Sequence, residues 1–246
     1  MRLSGLVAIG FWTLIGILGS FSRTTAEDRP SDLPSDYKLL YTQDFSQATA
    51  LDDFQMTDAH AWKLAARTNS DRPALELVRL SKYVPPYDSP LNIALLRNWV
   101  FGDCVIDVDC LQTGKEYGHR DMIFVFGYQS PAQYYYTHIA TAADDHANQI
   151  FIVDKAPRKK ISQQTNAGNQ WGLNEWRHVR IARNVSSGSI KVYFEDMAKP
   201  VMVAEDKTFG DGWVGFGSFD DTGKISNIKI WGKTAERKDA PAFPAN

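Results

Sequence analysis

Between Tyr37 and Gly232 short apolar-rich runs alternate with clusters of Gly, Asn, Asp and Pro. The runs predict strands over 37–45, 74–80, 92–97, 100–113, 121–128, 133–141, 148–154, 177–183, 189–195, 201–204, 212–219 and 224–231. No window of helical length carries an i, i+3, i+4 apolar stripe. Regular strands with turn residues between them predict an all-β chain, a single-domain antiparallel β-sandwich or jelly roll of about a dozen strands. No linker-like stretch divides 37–232, so one domain is expected there.

Alternation assigns faces. Cys104, Ile106, Val108 and Cys110 share one parity, and Asp103, Asp107 and Asp109 the other. Both thiols are therefore expected in the core. Six residues of extended strand hold them roughly 20 Å apart, too far for a disulfide. Tyr135, Thr137 and Ile139 form one row. Tyr134, Tyr136 and His138 form the opposite row, expected as an aromatic and imidazole stripe on an exposed face. Residues 122–126 and 150–153 are apolar on both faces, which predicts central strands covered on both sides.

The ends differ from the body. Arg2, an uncharged and mostly apolar run over 3–19, and Thr24-Thr25-Ala26 have the order of an export signal, with cleavage after residue 26. Residues 27–36, with Pro30 and Pro34, read as a linker, and 233–246 as a loose tail. Nothing else is long and apolar enough to span a membrane. An extracytoplasmic location follows. The 246 residues hold 27 Lys and Arg against 29 Asp and Glu. Residues 1–26 carry two bases and no acid, so the remainder has 25 bases against 29 acids, net −4. That balance disfavours nucleic acid as a partner, because phosphate neutralisation needs excess Lys and Arg. Two Cys exclude a disulfide-dense scaffold, and Cys/His spacings for zinc are absent.

The phrase Asn174-Glu175-Trp176-Arg177-His178-Val179-Arg180-Ile181, followed by Ser187-Gly188-Ser189-Ile190-Lys191-Val192-Tyr193-Phe194, resembles the concanavalin A-like lectin/glucanase superfamily in its laminin-G-like form. Gly212-Trp213-Val214-Gly215-Phe216-Gly217-Ser218-Phe219 with 225–231 resembles the closing strands of that fold. With Phe126-Gly127-Tyr128-Gln129 and Tyr134-Tyr135-Tyr136, it is similar to secreted bacterial 3-keto-glycoside hydrolase-type domains. The resemblance implies a jelly roll that engages carbohydrate. Three functions fit it: a glycan-binding module, an enzyme acting on glycosides (a 3-keto-glycoside hydrolase or polysaccharide lyase), and a structural or adhesion domain without a sugar site. Fold analogy does not choose among them.

Candidate chemistry follows from particular residues. The row Tyr134, Tyr136 and His138, with Arg120 and Asn148 as neighbours, is the expected sugar-binding surface. His138 is the candidate base, since imidazole can take or give a proton near neutrality. His146, in the loop before Asn148, is a further candidate ligand contact. Arg158 belongs to the basic group with Lys155, Lys159 and Lys160, which with Arg120 would suit an acidic glycan. Asp44, Asp220 and Asp221 offer hard oxygens for a structural calcium ion if the two ends of the jelly roll meet. Asp107 and Asp109 share a strand face but lack the two Glu of the glycosidase motif in the resembled superfamily, so a solvated face is equally expected. Gly210-Asp211-Gly212-Trp213-Val214-Gly215 matches GxGxxG, but a strand-like sequence follows where a dinucleotide site needs a helix. Asn184-Val185-Ser186 is a glycosylation sequon.

Overall fold

Strand β6 (Cys104–Gln112) runs through the middle of one sheet and β15 (Gly212–Ser218) through the middle of a second; the two sheets pack as a sandwich. The structure is a computed structural model that describes residues 29–68 and 71–244. The export signal over 1–26 lies outside the described residues. The chain divides into two units, Met1–Leu33 and Pro34–Asn246. In the described part of the first, the Leu33 N–H donates to the Pro30 carbonyl at 3.4 Å.

The strands of the second unit are β1 Lys38–Gln43, β2 Phe54–Met56, β3 Trp62–Ala65, β4 Ala74–Leu77, β5 Asn92–Phe101, β6, β7 Asp121–Ser130, β8 Gln133–Ala140 and β9 Gln149–Asp154. After them come β10 Lys159–Lys160, β11 Ser162–Thr165, β12 Trp176–Arg183, β13 Ser189–Phe194, β14 Met202–Glu205, β15, β16 Gly223–Gly232 and β17 Ala235–Arg237. One sheet has the order β11-β14-β13-β12-β6-β16-β4-β3, with β1 also on β16. The other has the order β10-β9-β8-β7-β15-β5-β17, with β2 also on β5. Every pairing is antiparallel, and neither sheet closes into a barrel.

The expected all-β sandwich is the fold. The strand expected over 100–113 is two strands, because the chain turns at Gly102 and Asp103 between β5 and β6. Cys104, Ile106, Val108 and Cys110 all enter the core between the sheets, and both thiols are free. The hairpin of β8 and β9 pairs His138 with Gln149.

A second apolar cluster covers the outer face of the β15 sheet, as the two-sided apolar runs 122–126 and 150–153 predict, but it also covers the Tyr134, Tyr136 and His138 row, whose expected place was an exposed face. It holds Ile123, Val125, Tyr128, Tyr134, Tyr136, Phe151 and Trp213. The parity of the 134/136/138 row is as expected, opposite Tyr135 and Ile139. The expected exposure is wrong: Tyr134 is 1 %, Tyr136 0 % and His138 3 % exposed. The chain between β4 and β5 supplies Tyr83, and the C-terminal segment supplies Phe243, which packs on Tyr83 at 5.6 Å and Tyr128 at 5.9 Å. The segment read as a loose tail is therefore fixed. β17 pairs with β5, the Ala240 N–H donates to the Arg97 carbonyl at 2.7 Å, and Gln55 Nε2 donates to the Pro241 carbonyl at 3.0 Å. Gly127 makes the change of face possible. Its φ of +56° lets β7 bulge, so Phe126 faces the inner core while Tyr128 faces the outer cluster.

Candidate functional site

Polar groups gather where β7 begins, β8 ends, and the turn between β15 and β16 passes. Asp121 opens β7, and the carboxylate oxygens of Asp121, Asp220 and Asp221 lie within 4.8 Å of one another. Asp121 is fully buried, Asp221 is buried and Asp220 is exposed. Backbone and hydroxyl donors hold them in place. Asp121 Oδ2 accepts from the Phe219 N–H at 2.8 Å. Asp221 Oδ2 accepts from the Asp121 N–H at 3.0 Å and from the Tyr117 hydroxyl at 2.9 Å. The Asp221 N–H donates to Ser218 Oγ at 2.6 Å. Burial pushes both buried carboxyls above the usual carboxylate range; the charges of Asp221 and Asp220 add to this at Asp121, and that of Asp220 at Asp221.

His138 lies beside this group. Its Nδ1 accepts from the Asn148 N–H at 3.4 Å, so the ring proton belongs on Nε2, which faces Asp121 Oδ2 at 3.9 Å. Burial drives the imidazole pKa down to about 3, helped by the positive charges of Arg158 and His119. His138 is accordingly a neutral donor at Nε2. Its remaining lone pair is directed at a backbone N–H, which does not suit a general base. The ring packs against Phe151 and Phe219 at 6.4 and 6.0 Å.

The rim is more open. The Arg158 guanidinium lies 4.0 Å from the Phe219 ring centre and 5.1 Å from that of Phe151. It donates to the Tyr136 hydroxyl at 3.2 Å and pairs with Asp88 at 3.5 Å. His119 Nε2 contacts Asp144 Oδ2 at 2.6 Å. Tyr117 is 43 % exposed, Asp144 and Asp220 are exposed, and His119 is half-buried. The result is a surface with aromatic edges, hydroxyl, imidazole, guanidinium and carboxylate above a neutral, buried floor.

Of the residues singled out from sequence, His138, Tyr136, Arg158, Asp220 and Asp221 meet here. Arg120 does not: it precedes Asp121 on the opposite parity and donates to the carbonyls of Gln112 and Gly172. Asn148 has φ +53°, and its amide bonds Thr165, Asn166 and Asn169 behind the site. His146 is exposed in the loop, where its N–H donates to Asp144. Asp44 is not a member of the acidic group. Gln43 pairs with Ile228, so Asp44 lies next to Asn227, six residues from Asp221 along the chain or roughly 20 Å of strand. Its carboxylate accepts from the Ser46 N–H instead. Asp121, Tyr117, His119 and Asp144 were not foreseen. The usable signal for Asp121 was a carboxylate directly abutting an apolar run covered on both faces.

The residues fit a calcium ion in their chemistry. Three hard carboxylates converge, and among the described ion pairs only His138, which is neutral, stands against them. Gly114 packs directly against the Asp221 carboxylate, where a Cβ would clash with Asp221 Oδ1.

The expected solvated face at Asp107 and Asp109 is instead a paired network on the other sheet. Register places Arg180 opposite Asp107 and His178 opposite Asp109. Arg180 Nε donates to Asp107 Oδ1 at 2.6 Å, and His178 Nδ1 meets Asp109 Oδ1 at 2.8 Å. These contacts raise the His178 pKa to about 9 through hydrogen bonds to Asp107 and then Asp109. The GxGxxG segment opens β15 and no helix follows, as expected.

No family model matches this chain, and no curated protein matches it in sequence. Solved structures do match. The carbohydrate-binding module CBM66 from Bacillus subtilis superposes with a TM-score of 0.50 at 16% identity, over 75% of this chain and 95% of that one. The chain has a galectin-like jelly-roll fold. A Bacillus subtilis protein described by that fold matches with a TM-score of 0.50 at 12% identity, over 82% of this chain and 100% of the other. The likeness is one of fold, the β-sandwich jelly roll that the strand phrases implied. Among the described residues no helix is long and apolar enough to cross a membrane.

Proposed function

We propose that this chain is an exported glycan-binding module. It binds sugar at the rim formed by Tyr117, His119, Asp144, Asp220 and Arg158. The observation that carries the reading is the pairing of exposed donors, acceptors and aromatic edges with a rigid, buried floor at one end of the sandwich. Sugars need that combination: polar groups for hydroxyls and ring faces or edges for C–H surfaces. The fold shared with a carbohydrate-binding module supports the reading at the level of architecture.

Calcium belongs to the same proposal. Asp121, Asp220 and Asp221 would hold it, and when bound it would supply positive charge that keeps the buried carboxylates ionised. Residues 1–26 would direct export and be removed, leaving an N-terminus near Glu27, which N-terminal sequencing of the mature protein checks. The binding reading itself is tested by isothermal titration of array-selected glycans into the wild-type chain and the Tyr117→Ala variant. Heat from the first and weakened heat from the second are expected. Equal heats would remove the rim from the site.

A further inference from the structure

Lined by none of the rim residues, a groove of about 380 Å³ opens at the edge of the β6 sheet, where β11 pairs with β14 at the end of the strand order. One wall is the end of β11 and the other is the turn between β13 and β14. The walls are tied together: the Asn166 N–H donates to the Val201 carbonyl at 2.9 Å. Asn148 braces them from behind. Its side-chain nitrogen donates to Asn166 Oδ1 at 2.7 Å, and its carbonyl accepts from the Thr165 hydroxyl at 2.6 Å. Polar side chains committed to one another in this way hold the groove in shape before any ligand arrives, which lowers the ordering cost of binding.

The side chains left over in the groove are of another kind. Gln164, Asp196 and Lys199 line it and are exposed. Asp196 Oδ1 accepts from the Ala198 N–H at 2.9 Å, and no ion pair joins Asp196 to Lys199 among the described residues. The groove thus offers an amide, a carboxylate oxygen and an ammonium, a mixture of donors and acceptors. Its two formal charges cancel. Pro200 and Val201 add an apolar patch beside them. The volume lies at the small end of the roughly 300–1,000 Å³ of small-molecule sites.

We propose that this groove is a second glycan subsite, selective for a short neutral saccharide. Vicinal hydroxyls, each able to donate and accept, match the amide, carboxylate and ammonium. The C–H face of the sugar ring sits on Pro200 and Val201. A uronate or sulfated sugar gains nothing from a net-neutral groove, and Asp196 opposes it. The proposal rests on the glycan-binding reading but on residues separate from the rim. It gives Asn148 the part of a positioning residue that shapes the groove without touching the sugar.

Amide NMR on the full mature chain tests it. The probes are a panel of neutral gluco-, xylo-, arabino-, galacto- and fructo-oligosaccharides, with an oligouronate as the acidic comparison. Saturable shifts are expected at residues 164–166 and 196–201 with a neutral oligosaccharide. Asp196→Asn and Lys199→Ala, both at exposed positions, should each weaken that binding about tenfold or more, the effect of losing a hydrogen bond to a charged group. Shifts confined to the surroundings of Tyr117 and Asp220, with both variants binding like the wild type, would overturn the groove and leave the rim standing. A stronger groove response to the oligouronate would overturn the selectivity for neutral sugar. No shift with any saccharide would remove both the groove and the reading on which it rests.

Discussion

His138 Nε2 faces Asp121 Oδ2 across 3.9 Å at the buried end of the outer cluster. The imidazole is neutral in the folded chain, with a pKa lowered to about 3, chiefly by burial. In the unfolded chain it has the ordinary value of about 6.5. Between those values the unfolded state binds more protons, so stability present above pH ~6.5 is lost as pH falls toward 3. His138→Gln keeps an N–H donor and removes the titration. The acid limb of its urea midpoint against pH should be flatter than that of the wild type. Asp121 acts in the opposite direction, since a raised carboxyl loses stability as pH rises, and it is common to both proteins. Parallel acid limbs would mean that His138 is not held neutral.

His178 should show the reverse dependence. Its folded pKa of about 9 lies above the unfolded value, through its contacts with Asp107 and Asp109. The stability it supplies is complete below pH ~6.5 and disappears as pH rises through 9. Part of the ring is solvated, so screening makes the effect modest. His178→Asn should lower the melting temperature at pH 6 more than at pH 9.5. An equal loss at both pH values would contradict the ion-pair assignment.

Calcium should stabilise the fold through Asp121, Asp220 and Asp221. Binding to the native state alone contributes about 2.7 kcal/mol at a hundred times the dissociation constant. A saturable rise in melting temperature with CaCl2 is expected, much reduced in Asp220→Asn, whose exposed position spares the apo fold. A flat titration of the wild type would show that the carboxylates share protons instead of a cation.

Tyr136→Ala should act on stability. The ring is fully buried and stacks on Phe151 at 5.1 Å, and its hydroxyl accepts from Arg158. Loss of a buried aromatic ring costs about 3–5 kcal/mol. Urea unfolding measures it, and a loss below about 1 kcal/mol would place the ring outside the core. Removal of residues 238–246 should also destabilise the chain, by uncovering Tyr128 and Trp213.

The layers of the fold were legible because alternation is a local property. The inward parity of Cys104 to Cys110 and the split of β8 into two opposite rows both hold. Three things were not legible, each because it depends on distant chain. Tyr134 and Tyr136 are apolar enough for a core, yet only the arrival of Tyr83 and Phe243 makes them one. Asp121 and Asp221 are a hundred residues apart and meet through sheet order, whereas Asp44 is separated from them by the register of β1 on β16. The Asp107–Arg180 and Asp109–His178 pairs were spaced alike on two strands, a complementarity that becomes visible only once β6 and β12 are known to be neighbours.

The central claim, sugar bound at the rim, is tested most directly by titration calorimetry. The mature chain is titrated with glycans chosen from an array, alongside Tyr117→Ala. The account predicts saturable binding to the wild type, weakened by about 1–3 kcal/mol in the folded fraction of the variant, which loses an aromatic anchor that is 43 % exposed. Binding of equal strength to both proteins, or no glycan bound by the folded wild type, would contradict it.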